Sequence, residues 1–135
     1  MVAVQDRKCI SRQRPDGIYE FRLLEANAAA FNELLNQLAQ ADASTPTGNI
    51  LRYIVDLSTS GIPPLQPAFQ AAQKWLMLHP DYRNSRMVFL AKPDLKRELA
   101  QSFARLFSAV ASRWQGRFMD VHQHNEAINW LLAND

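Results

Sequence analysis

The residues with most chemical potential cluster just past the most strand-like run of the chain: Asp56, Ser58, Thr59, Ser60 and Gly61. Pro63 and Pro64 follow and open a helical pattern. A carboxylate and hydroxyls at a helix N-terminus bind anions poorly but cap the helix well. A hydroxyl there can also accept a phosphoryl group, whose charge of roughly −2 would meet the positive end of the helix dipole. Capping and turn formation are the commoner use of such residues, and both readings stay open. A second candidate is His122-Gln123-His124. Residues i and i+2 share a face of an extended segment, so the two imidazoles could converge on a metal, with Asp120 at the same parity. Two histidines and one aspartate are common by chance, and a complete site would need a distant carboxylate, so no metal is expected. Cys9 is the single cysteine. It allows no internal disulfide and no cysteine-based metal site, and beside Ile10 it reads as a strand residue rather than a reactive thiol. Four scattered glycines form no phosphate-binding loop, no nucleophile elbow or H-E-x-x-H pattern occurs, and no cofactor is expected.

The bulk properties restrict the classes of partner. With 135 residues and a hydrophobic fraction of 47%, the chain suits one domain with one core. Fifteen Lys and Arg face thirteen Asp and Glu, and a net charge of +2 gives no argument for nucleic acid or an anionic membrane. The five basic residues among the first 22 (Arg7, Lys8, Arg12, Arg14, Arg22) suit solvated surface. No apolar run approaches the roughly 20 residues that span a bilayer, so no membrane insertion is expected. Gln5-Asp6-Arg7-Lys8 interrupts any signal-peptide core. These features together predict a soluble cytoplasmic protein.

The elements that must position the candidates follow from periodicity. Residues 2–11 are weakly strand-like, and Pro15-Asp16-Gly17 is a turn. From Ile18 to Leu24 the chain alternates, with Tyr19, Phe21 and Leu23 on a wholly apolar side, which completes a hairpin. Asn27 is a helix cap ahead of Ala28. Phe31, Leu34, Leu35 and Leu38 then form the stripe of a helix ending near Ala41, with a loop from Asp42 to Asn49. Leu51–Leu57 is a nearly continuous apolar run, as in a strand covered on both faces. A helix beginning at or beside Pro64 runs to about His79, with Leu65, Phe69, Ala72 and Leu76 inward. Residues 85–91 make another strand. The longest helix is expected over 94–114, lined by Leu95, Leu99, Phe103, Leu106, Phe107, Val110 and Trp114, and ended by Gly116. Its far end, with Trp114, could overhang the sheet and meet a second subunit in a homodimer. A strand at 117–121 and a helix over about 124–133, with Ala127, Ile128 and Leu131 inward, close the chain. The fold class is therefore α/β: a mixed, largely parallel five-stranded sheet with four helices in the order β-β-α-β-α-β-α-β-α. Whether the helices cover one face or both stays open.

This element order, the strand end Val55-Asp56-Leu57-Ser58, and the closing Phe118-Met119-Asp120-Val121 before Glu126-Ala127-Ile128-Asn129-Trp130-Leu131 resemble a STAS-type domain over about residues 16–133. These are the anti-sigma-factor antagonists and SpoIIAA-like proteins. The resemblance implies a non-enzymatic regulatory domain that binds a protein partner of the kinase-like anti-sigma-factor kind. It also implies phosphorylation of a serine in an Asp-Ser-Ser-Gly-like loop, which blocks that binding. The loop here is Ser58-Thr59-Ser60-Gly61, without an Asp before the serine pair and several residues shorter, and Ser60 is the nearest match. Ser58 and Thr59 are the substitutes. A second expectation is a binding module holding a lipid or other small apolar ligand between the sheet and the long helix. A third is a metal-assisted enzyme using His122 and His124.

Overall fold

The computed structural model describes residues 7–133, apart from the side chains of Phe103 and Val110. In chain order the elements are β1 (Cys9–Gln13), β2 (Tyr19–Leu23), α1 (Ala28–Ser44), β3 (Leu51–Asp56), α2 (Leu65–Leu78), β4 (Ser85–Leu90), α3 (Leu95–Val110), β5 (Trp114–Met119) and α4 (His124–Leu132). A single 3-10 turn, Val121–Gln123, precedes α4. The expected fold class holds. The five strands lie side by side in chain order, β1 antiparallel to β2 and all other neighbours parallel. The first strand begins at Cys9, and residues 2–6 of the expected strand lie outside the described residues. The hairpin turn forms as its residues dictate: Ile18 N donates to Asp16 Oδ1 at 3.2 Å, and Gly17 takes φ 90°.

The pleat sorts the strands' side chains onto two faces, and both are covered, unequally. On the first face Cys9, Phe21, Leu23, Tyr53, Val55 and Met87 are buried beneath α1, α2 and α3. On the second, Ile18, Ile54, Val88 and Leu90 meet Ala127 and Leu131 of α4. β3 and β4 are apolar at successive positions because they are enclosed from both sides. Polar residues on the second face also have a use there. Arg52 Nε donates to Leu131 O at 2.5 Å, while Arg86 donates to Trp130 O at 3.1 Å and Ala133 O at 2.7 Å. The two guanidinium groups thus bond carbonyls at the C-terminal end of α4, where the helix dipole favours positive charge. Arg117 and Arg86 lie 4.6 Å and 5.5 Å from the Trp130 ring centroid.

Several boundaries differ from expectation. α1 is capped as expected, Asn27 Oδ1 accepting from Ala30 N at 2.9 Å, but it runs on to Ser44. Asp42, expected in a loop, is buried in its last turn because its carboxylate accepts from Arg83 N at 2.8 Å. Thr45 Oγ1 donates to Ala41 O at 2.9 Å and closes that end. α3 stops at Val110 rather than 114, which makes α1, at 17 residues, longer than α3, at 16. Trp114 and Gly116 belong to β5, where backbone pairing with all of β4 overrides the helical pattern. The misreading has a simple cause: Trp114 lies seven residues beyond Phe107 and so shares its helical phase. The two rings do touch, edge to face at 5.2 Å, but across a change of element. Gly116 is needed inside the strand, because a Cβ there would run into the Trp114 indole. Trp114 is half-buried against the first face and overhangs nothing.

α3 is also turned differently from its apolar stripe. Ala100 is buried and Ala104 and Phe107 are half-buried, while Leu95 is 71%, Leu99 50% and Leu106 62% exposed. Its alanine flank, rather than its leucine flank, faces the sheet.

Leu131 carries the cover of the second face, being fully buried against that core cluster. Leu131→Ala should therefore lower unfolding free energy by about 2–5 kcal/mol. Urea denaturation should show a lower midpoint at unchanged slope; a shift under about 0.5 kcal/mol, the size of a surface substitution, would refute the assignment.

Candidate functional site

Parallel strands of an open sheet present their carboxyl ends together, and loops there are where such folds usually bind. β3 ends at Asp56, and the next eight residues form a connection with two distinct sides. Leu57, Ile62 and Pro63 are buried, whereas Ser58, Thr59 and Gly61 are exposed and Ser60 is half-buried. Leu57 N donates to Leu90 O at 2.9 Å, which extends the β3–β4 pairing by one bond. Asp56 Oδ1 accepts from Ser58 N at 2.9 Å, and its other oxygen lies 3.6 Å from Arg22 Nε, on its register partner in β2. Gly61 N donates to Leu57 O at 2.8 Å and Gly61 takes φ 79°, so the chain closes on itself before entering the helix.

The five residues expected to form the site are therefore together, but the expected capping role is absent. α2 begins at Leu65, with Pro64 in the cap position and no side-chain cap bond. Burial of Ile62 and Pro63 inserts an apolar step between the hydroxyls and the helix. Ser60 Oγ donates instead to Gly61 O at 2.7 Å. The Ser58 and Thr59 hydroxyls have no hydrogen-bond partner among the described residues. The start of α3, with exposed Leu95 and Leu99, follows the carboxyl end of β4 and lies on the same edge of the sheet.

The histidines are placed differently from the extended arrangement. The strand ends at Met119, and Asp120 caps the 3-10 turn, its side chain accepting from His122 N at 3.0 Å. His122 is 91% exposed, and its Nε2 is 3.9 Å from Asp120 Oδ1. The His124 ring lies 3.2 Å from Glu20 Oε2 on β2. Winding of the segment separates the two rings. Among the described residues no group of three or more His, Cys, Asp or Glu side chains gathers around a common point. Glu20 is the centre of a small charged cluster with Arg12 Nε at 2.7 Å and Arg14 NH1 at 3.6 Å. Burial pushes the Glu20 pKa up, but hydrogen bonds from Arg12 and His124 and the charges of Arg12 and Arg14 outweigh it, and the net shift is downward. Cys9 is fully buried in the first-face core; burial, then the nearby Glu33 carboxylate, pushes its thiol up to about 12, which leaves no thiolate for chemistry.

One feature of the first face escaped the periodicity argument. A partly open apolar cavity of about 150 Å3 lies between the sheet and helices α1–α3. Leu57, Ile62 and Pro63, the buried side of the connection after β3, form part of its wall. The available signal was the inward pairing of small residues, Ala68 with Ala72 on α2 and Ala100 with Ala104 on α3, each four apart.

Among the described residues no helix is long and apolar enough to cross a membrane. No family model matches the chain, and no curated protein and no solved structure matches it either.

Two substitutions test this geometry. Gly61→Ala meets no side-chain clash, so its cost is the left-handed backbone alone, about 1–2 kcal/mol by chemical denaturation; an unchanged midpoint would contradict the positive φ. Glu20 has its folded pKa below the ordinary 4.5, so its contribution to stability is present above that value and is lost as pH falls through the folded pKa. Glu20→Gln should accordingly lower Tm at pH 7, and the gap from the parent should shrink as the pH falls below about 4.5. A gap independent of pH would show that the charge of Glu20 is not what stabilises.

Proposed function

We propose that the chain is a regulatory protein-interaction domain of the STAS kind, which presents the corner Asp56–Gly61 and the neighbouring start of α3 to a protein partner. The observation that carries this reading is the state of the corner's hydroxyls. Ser58 and Thr59 are exposed and unengaged, Ser60 is tied only to the adjacent carbonyl, and none is committed to capping α2. Two free hydroxyls and one held only by its neighbour, kept at the rim of a sheet, suit recognition or modification. Leu95 and Leu99 add exposed apolar surface on the same edge, of the type that anchors an interface. The strand order, with an antiparallel edge hairpin and helices on both faces, is compatible with the resemblance drawn from the sequence.

The switch in this reading is phosphorylation, with Ser60 first and Ser58 and Thr59 as substitutes. A phosphoryl group adds roughly two negative charges beside Asp56, whose nearest cation, Arg22, is already paired with it. Added charge at the contact surface must lose its hydration when a partner docks against apolar anchors there, which weakens the complex. Dephosphorylated chain should then capture its partner, and Ser60→Asp should capture it roughly tenfold more weakly, about 1.4 kcal/mol. Ser60→Ala should bind as the parent does. The check is affinity capture from native extract with and without phosphatase, compared across the three forms. Equal capture by the parent and Ser60→Asp would remove Ser60 as the switch, and equal capture with and without phosphatase would remove phosphorylation altogether.

A further inference from the structure

The cavity under the first face has a chemistry of its own, separate from the interaction role of the corner. Its volume is about 150 Å3, and no charged side chain lines it. Five lining side chains carry a polar atom, and each is already engaged elsewhere. The Trp114 indole hydrogen-bonds the Tyr53 hydroxyl. Trp75 Nε1 donates to Leu35 O at 3.1 Å. The Tyr82 hydroxyl accepts from Arg113 N at 3.2 Å, and Ser85 Oγ donates to Arg83 O at 2.9 Å. The remaining lining is hydrocarbon from both layers, with Val55, Met87 and Phe89 on the sheet side.

Water has little reason to occupy such a space. A buried water needs about two to four polar partners, and the few polar side chains of the wall are each already bonded to a protein group. The space is partly open to solvent, which gives a ligand a way in, and an apolar space of roughly this volume can take up a molecule the size of benzene. Emptiness also has a cost, because wall atoms facing a void lose their dispersion contacts. The space persists because Ala68, Ala72, Ala100 and Ala104 occupy positions where leucine would close it. The flank of α3 that carries leucines is turned to solvent instead. We infer that this cavity is a binding site for a small uncharged hydrocarbon ligand about the size of one aromatic ring.

The test is titration of methyl-labelled protein with benzene and, in parallel, with benzoate, followed by methyl NMR. Benzene is expected to give saturable shifts at the methyls of Leu34, Val55, Leu57 and Met87, which face the cavity. Benzoate is expected to give none at these positions, since no cation is there to receive its carboxylate. Ala104→Leu fills the space from α3 and Ala72→Leu from α2, and each should weaken benzene binding at least tenfold. Two variants on different helices guard against one that does not fold, and the parent titration decides even if neither does. Absence of benzene shifts in the parent overturns the proposal. So do benzoate shifts equal to those of benzene, or benzene binding undiminished in a folded, filled variant.

Discussion

Tyr53, Ile54 and Val55 follow one another along β3 and are all removed from water, although they point to opposite faces of the sheet. A strand buried on both sides cannot tolerate a one-residue slip, because the slip would turn Arg52 and Asp56 from the second face into the apolar core of the first. That requirement fixes the register with β2 and β4. It sets Asp56 opposite Arg22 and Leu90, and so sets where the chain emerges. The polar corner beyond β3 is therefore placed by hydrocarbon packing and by the Leu57–Leu90 backbone bond that continues the sheet, not by its side-chain hydrogen bonds, which reach only one or two residues along the chain.

The two faces solve the burial problem with different means. Three helices roof the first, and they do so with loose contact in the middle, where small side chains oppose aromatic ones. The second has a single short helix of nine residues, too short to be stable in isolation. Its apolar contacts through Ala127 and Leu131 are supplemented by guanidinium groups from two neighbouring strands, aimed at the carbonyls where the helix runs out. Arg52 and Arg86 are cross-strand partners in register, so sheet pairing itself delivers both to the same place.

Much of this architecture was legible in local pattern. The alternation over Ile18–Leu24, the doubly apolar run at Leu51–Leu57 and the cap at Asn27 each reflect short-range physics, and each element formed where that physics puts it. What could not be seen depends on distance in the chain. Arg52 interrupts an apolar strand without apparent reason until its partner 79 residues away is in place. Periodicity identified the residues sharing one side of α3 but not which flank of that side would turn inward, which is how three leucines came to face solvent. Trp114 kept helical phase past the end of the helix and was assigned to the wrong element. At the corner, composition located Asp56, Ser58, Thr59, Ser60 and Gly61 correctly as a loop. Turn formation holds, with Asp56 accepting from Ser58 N, while capping of α2 does not, because burial of Ile62 and Pro63, a tertiary fact, moves the helix start out of the hydroxyls' reach. A cavity is harder still to read, being defined by atoms that are missing.

α2 has no fully buried side chain and no side-chain cap, so it rests on the molecule rather than being built into it. Elements with so little at stake open at low free energy while the sheet beneath stays closed. Half-buried contact together with the Trp75 Nε1 bond to Leu35 O on α1 is what holds α2. Mutational drift along it can reshape the space behind without endangering the strands, so descendants of this scaffold are free to diverge in what they hold while keeping the same frame.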